Sequence, residues 1–143
     1  MTSADYSHLP KAEFAFPGPL RDKLVAAILD GSKTSTTGIL ADYELSGDPL
    51  PQPGEHSVLV DSADQPVGII EVTEVKTAPL SDVDLAHVID EGEGNTSVAD
   101  WRADHESFWH SDAMREAMGD PNFTVDDSTI VVLERFRLIT NLR

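Results

Sequence analysis

Apolar residues recur at Leu20, Leu24 and Ile28, with Val25 and Leu29 beside them, and this spacing predicts a helix with one buried face. Pro17-Gly18-Pro19 opens it, because a proline in the first turn loses no intrahelical N–H. Gly31 closes it by tolerating positive φ. Residues 33–40 are rich in Thr and Ser and predict an extended segment entering a sheet, and residues 48–54, with three prolines and a glycine, predict a rigid connector. Residues 56–61 and 67–75 alternate as strands and pair as a hairpin around Ala63-Asp64-Gln65. A short helix is expected from Pro79-Leu-Ser-Asp82 to Ile89, broken by Glu91-Gly-Glu-Gly94. Ser97 caps a further helix whose apolar stripe is Val98, Trp101, His105, Phe108 and Trp109. One more helical piece, 112–118, stops at Gly119, and residues 129–139, dense in β-branched and aromatic side chains, predict a closing strand. Residues 1–16 read as extended or frayed.

Strands interrupted by helices without regular βαβ alternation point to an α+β domain or a barrel rather than a doubly wound sheet. The 143 residues suit one domain, 1–143. No run approaches the roughly 18 apolar residues of a membrane span, and the start shows no basic segment followed by an apolar one. A cytoplasmic protein with no membrane partner is the expectation. The chain has no cysteine, which excludes disulfide scaffolds, thiolate metal sites and cysteine nucleophiles.

Charge narrows the partners. Ten basic residues stand against 26 acidic ones, a formal charge of −16, and residues 82–127 hold thirteen acids with only Arg102 and Arg115 opposing them. Long duplex DNA is therefore not an expected partner, since gripping it needs a basic face. Any RNA-related role has to use a small local site against the bulk field.

Three constellations can carry chemistry. In Gly31-Ser-Lys33-Thr-Ser-Thr36-Thr37, a lysine amine near a threonine hydroxyl can activate it as a nucleophile. Residues three apart on a regular strand face opposite ways, so the pair needs a bend after Gly31. On the residues alone, an exposed lysine followed by ordinary strand threonines is the stronger reading. The run lacks the glycine spacing of a phosphate-binding loop. In Glu91-Gly-Glu93-Gly94-Asn95, a carboxylate can serve as general base or bind an amino group, or the segment is simply a polar turn; it has too few oxygen ligands for calcium. In Trp101-Arg102-x-x-His105, Arg102 can pair with Glu106, while His105 falls in the apolar stripe as a core histidine. His56, His87, His105 and His110 show no zinc-ligand spacing, so no metal is expected, and without a dinucleotide fingerprint no cofactor is either.

These pieces, in this order, resemble the activating-signal-cointegrator homology (ASCH) family, whose fold is similar to the PUA domain of RNA-modifying proteins. The resemblance is carried by Phe16-Pro-Gly, Gly31-Ser-Lys33-Thr-Ser-Thr36, Leu50-Pro-x-Pro-Gly54, Ile69-Ile-Glu-Val-Thr-Glu-Val75 and Asp90-Glu-Gly-Glu-Gly94, then Val98-x-x-Trp101-Arg102-x-x-His105 and Val132-x-x-x-Phe136. It spans residues 14–140. It implies an α+β, PUA-like β-barrel of about five to six strands with flanking helices and a cleft facing RNA or a nucleoside. Bacterial members include amidohydrolases that remove the acetyl group of N4-acetylcytidine, and ribonucleases. The resemblance implies Lys33 and Thr36 as catalytic residues with Glu93 as the glutamate, Glu91 being the other candidate; Arg102, Glu91 and His105 are the expected substrate-binding residues. A modified nucleoside is the partner expected first. A metal-independent ribonuclease acting on single-stranded RNA, or a non-catalytic RNA-binding module, are the alternatives. The sequence departs from the short deacetylating members at Gly38, where their motif continues to an arginine; Arg102 is the candidate to replace that cation.

Overall fold

The computed structural model describes Tyr6 and residues 8–143. The expectation of an extended start therefore lies outside the described residues for positions 1–5 and 7, while Lys11–Ala12 form a two-residue strand, β1. Helix α1 (Pro19–Asp30) follows and ends at Gly31, whose φ of 88° is left-handed. Its buried face differs from the spacing prediction, because Arg21 lies inside with Leu24, Val25 and Ile28 while Leu20 is 42% exposed. The reason is local. The Arg21 guanidinium donates to the carbonyls of Phe14 (3.2 Å), Ala15 (2.8 Å) and Asp61 (3.4 Å), so its burial leaves few donors unsatisfied.

Strand β2 (Ser35–Ile39) runs directly into α2 (Leu40–Ser46), a helix the sequence reading did not foresee. None of the α2 residues is buried, so it has no apolar stripe to betray it. Strands β3 (His56–Val60) and β4 (Pro66–Pro79) form the expected antiparallel hairpin, with Val58 opposite Ile69 and a bulge after Leu59. Asp61 holds the turn, its Oδ1 accepting from the amides of Ala63 and Gln65, both at 2.9 Å. Strand β4 continues to Pro79, four residues beyond the predicted end, and a 3-10 turn over Leu80–Asp82 separates it from α3 (Leu85–Asp90). Helix α3 starts later than expected because Asp84, not Asp82, caps it through the His87 amide (2.9 Å). Helix α4 (Val98–Trp109) is capped by Ser97 through the Asp100 amide (3.1 Å), and α5 (Asp112–Met118) ends at Gly119. Strand β5 (Ile130–Asn141) closes the chain.

The five strands make one mixed sheet in the order β1-β3-β4-β5-β2, with β1 parallel to β3. The α+β architecture with five strands is as expected. The sheet is not closed into a barrel among the described residues: it ends at β1 on one side and β2 on the other, and β1, only two residues long, offers little backbone for further pairing.

Two units gather the contacts. The first takes in the described residues up to Thr34, with Pro51–Val75 and Glu134–Arg143. Its core is Val25, Ile28, Leu59, Val67, Ile70 and Phe136, with Phe14 packed on it and its ring 5.7 Å from that of Phe136. The second is Ser35–Leu50 and Lys76–Leu133. Its core is built on Trp101 and Trp109, whose rings meet edge to face at 6.3 Å, with Ile39, Leu80, Val88, Met114, Val131 and Leu133 around them. No helix of the described residues is long and apolar enough to cross a membrane.

Candidate active site

The second unit buries a polar network beside its tryptophan core. Three elements supply it, each for a local reason. On β2, alternation puts Ser35 and Thr37 on one face and Thr36 on the other. The Ser35 and Thr37 face meets α3: the Ser35 hydroxyl donates to the His87 carbonyl at 3.0 Å. His87 on α3 and Glu91, which caps the helix C-terminus in helical conformation, are four apart, hence one above the other. Gly92 and Gly94 follow with φ of 66° and 87°, a left-handed path that side-chain-bearing residues resist and that turns the chain back into α4. On α4, Trp101 and His105 are also four apart, and their rings stack at 4.3 Å with 29° between the planes.

Glu91 is the centre. Its side chain is 1% exposed, with Oε2 accepting the Thr37 hydroxyl at 2.6 Å and lying 3.1 Å from His87 Nε2. Because Thr37 donates its proton to the carboxylate, its oxygen accepts from His87 Nε2–H at 2.8 Å. The other carboxylate oxygen, Oε1, lies 3.2 Å from His105 Nε2. His105 Nδ1 is 3.0 Å from the Trp101 carbonyl, which can only accept, so Nδ1 carries a proton. Neutral His105 would then present a lone pair from Nε2 to a carboxylate oxygen. Glu91 Oε1 is buried, so a positive charge here relieves the contact, and the simplest is a second proton on His105. Burial alone would lower the His105 pKa, but the hydrogen bond and charge of Glu91, with Glu93 and the Trp101 carbonyl adding to them, outweigh it and the net shift is upward. Glu93 joins this end: one donor atom each from Glu91, Glu93 and His105 lie within 4.8 Å of one another.

The structure thus brings together Glu91, Glu93 and His105 of the residues singled out from sequence. Arg102, one turn away on α4, turns elsewhere: its guanidinium meets Asp127 at 2.7 Å and Glu106 at 3.7 Å, on a shallow depression lined by residues 125–128. Thr36 is half-buried on β2. Lys33 belongs to the first unit, where it is 1% exposed with Nζ 6.0 Å from the Phe14 ring centroid. Glu134, also in the first unit, feels the Lys33 charge; burial first and Glu55 second nevertheless push its carboxyl from 4.5 up to about 7. Thr37 and His87 were not singled out as site residues. The signal for His87 was present, since a histidine on a short helix and a glutamate four residues on, at its C-cap, share one face.

Among curated proteins none matches this chain. Its fold is that of solved structures. One is an ASCH domain from Lactobacillus crispatus JV V101, 24% identical, with a TM-score of 0.80 over 97% of this chain and 84% of the other. Another, a protein from Enterococcus faecalis V583, is 23% identical, with a TM-score of 0.71 over 83% of this chain and 68% of the other. The sequence model of the ASCH domain matches residues 13–140, nearly the entire length. The chain belongs to the ASCH domain family.

Proposed function

We propose that this ASCH-domain protein is a hydrolase of small uncharged modified nucleosides, with N4-acylated cytidines as the substrate class. The observation that carries the reading is the buried line of hydroxyl, carboxylate and imidazole formed by Thr37, Glu91 and His105. Such a line can do both halves of amide hydrolysis. A carboxylate held in a shielded site takes a proton from the attacking oxygen, and an imidazolium returns one to the departing amine as the C–N bond breaks. The acyl group leaves on the attacking oxygen, and water completes the cycle. The formal charge of −16 supports a neutral substrate over a polyanion. The motif resemblance implies different groups for the first half, Lys33 as activating amine, Thr36 as nucleophilic hydroxyl and Glu93 as the carboxylate that orients or relays the proton. Thr36 faces away from Thr37 on β2, so Thr37 with Glu91 and Thr36 with Lys33 are rival attacking pairs that variants separate.

Purified protein incubated with N4-acetylcytidine and sibling amides, followed by chromatography of the products, tests this. Turnover is expected in the wild type, with losses of about 10²- to 10⁴-fold in Glu91→Gln and in the variants of whichever pair attacks, Thr37→Val or else Thr36→Val and Lys33→Ala, the range that general acid–base groups contribute. Turnover that persists in Lys33→Ala and Glu93→Gln removes the roles assigned to those residues. Nucleoside binding without turnover returns the protein to a binding module, and cleavage of single-stranded RNA in its place makes it a ribonuclease.

A further inference from the structure

The positive charge that the buried Glu91 Oε1 favours beside His105 need not be a proton. We propose that Glu91, Glu93 and His105 form a binding site for a divalent transition metal, Zn²⁺ or Mn²⁺. Three observations lead there. His105 Nδ1–H is tied to the Trp101 carbonyl at 3.0 Å, which fixes the tautomer that presents Nε2 as a ligand. Metal-ligating histidines are held in this way, by donation of the other ring N–H to a carbonyl or carboxylate. The ligating oxygen of Glu91 is held likewise, because its partner oxygen accepts from Thr37 at 2.6 Å.

The spacing is that of neighbouring ligands. Two donor atoms each about 2.1 Å from one ion, at about 100° to each other, lie about 3.2 Å apart. Glu91 Oε1 and His105 Nε2 are 3.2 Å apart. Glu93 brings a third donor, one ligand atom from each of the three residues lying within 4.8 Å of the others, on a loop flanked by Gly92 and Gly94. Two carboxylates converging on one point repel, and a divalent ion reverses the sign of that interaction. The donor set of one imidazole and two carboxylates suits Zn²⁺ and Mn²⁺ better than the hard all-oxygen cages of Ca²⁺. Histidine spacing alone hid this site, because the other ligands come from the loop that precedes α4 rather than from a second histidine.

The inference rests on the hydrolase reading but changes its acid: an ion on His105 Nε2 takes the place of the imidazolium proton, and polarising the amide would then fall to the ion. It is tested by binding so that either can fail alone. Chelator-treated full-length protein is titrated with Zn²⁺ by calorimetry, with Mn²⁺ paramagnetic resonance as a second probe. One ion per chain is expected, with affinity falling at least about tenfold in Glu93→Gln and in His105→Gln, and unchanged in the exposed control Glu116→Gln. Glu93 is half-buried on a loop, so its variant is expected to fold, and circular dichroism checks both. Nitrogen NMR of the His105 ring gives an independent readout: Zn²⁺ should shift Nε2 and leave Nδ1 protonated. Absence of binding overturns the site, as does binding that survives both ligand variants or a ring that stays doubly protonated in the presence of Zn²⁺. Deacylation at full rate in a chelated protein that takes up no Zn²⁺ on titration overturns the site and keeps the hydrolase. Stoichiometric Zn²⁺ with no turnover of any N4-acylated nucleoside does the reverse.

Discussion

Glu134 shows at one residue how burial becomes a pH dependence. Its carboxyl is raised from 4.5 to about 7, by burial first and Glu55 second, with the Lys33 charge opposing. A folded-state value above the unfolded one means that folding favours the protonated acid. Its stabilising contribution is therefore whole below about pH 4.5 and is lost as the pH rises through 7. Glu134→Gln mimics the neutral acid at every pH. It should change stability little at pH 4.5 and raise it by about 2 kcal/mol at pH 8.5, allowing for partial solvation of the site. Thermal melts at the two pH values measure the difference, and equal shifts at both would contradict the raised value. Gly38 makes a different point. It stands where the short deacetylating members of the family have an arginine, and a Cβ built there would come within 3.2 Å of Tyr43 Cε2 on α2. The ring occupies the space into which that side chain would extend. Gly38→Arg should therefore destabilise the protein by about 1–3 kcal/mol through overpacking, and Tyr43→Ala should relieve part of it in a double-mutant cycle. Additive losses in the double variant would mean that the two positions are uncoupled.

At the scale of the element, helix ends were the most legible feature, because caps are local chemistry. Ser97, Gly31 and Gly119 all end or begin helices where the sequence placed them. The Ser97 hydroxyl accepts from the Asp100 amide at 3.1 Å, so Ser97→Ala should cost about 1 kcal/mol and Ser97→Gly only a few tenths. Denaturant unfolding reads both; equal losses in the two would assign the effect to something other than the cap. The hairpin of β3 and β4 and the closing strand were equally plain, since alternation survives when one face is buried. What was not legible depended on distant partners or on having none. Helix α2 buries nothing and so leaves no periodic trace. Arg21 is buried by carbonyls from two other segments, which a helical wheel cannot show. The candidate site divided in the same way. The loop of Glu91 and Glu93 and the histidine on α4 could be picked out one by one. That Glu91, not Glu93, is the member clasped by Thr37, His87 and His105 follows from the turn of the backbone after α3, which no spacing rule encodes.

For the whole molecule, the division into two cores was invisible from sequence because β4 and β5 each contribute residues to both units, so neither composition nor a linker marks a boundary. Net charge, by contrast, is fully legible and separates the functional readings. At −16, the chain repels polyanions at long range and is indifferent to neutral solutes. Proteins that hold RNA through phosphate contacts lose affinity as salt is added, because counterions are released on binding. Here the opposite sign is expected for any oligoribonucleotide bound through its bases: screening shortens the Debye length from about 30 Å at 0.01 M to about 8 Å at 0.15 M and removes repulsion. Deacylation of an uncharged nucleoside should have a KM that changes less than about twofold across that range, while a single-stranded RNA ligand, if bound at all, should bind more tightly at the higher salt. Measuring both over the same salt series decides between the readings. A steep loss of RNA affinity with salt would mean that a local basic surface overrides the bulk charge, and phosphate contact, not a neutral base, would then be what this protein recognises.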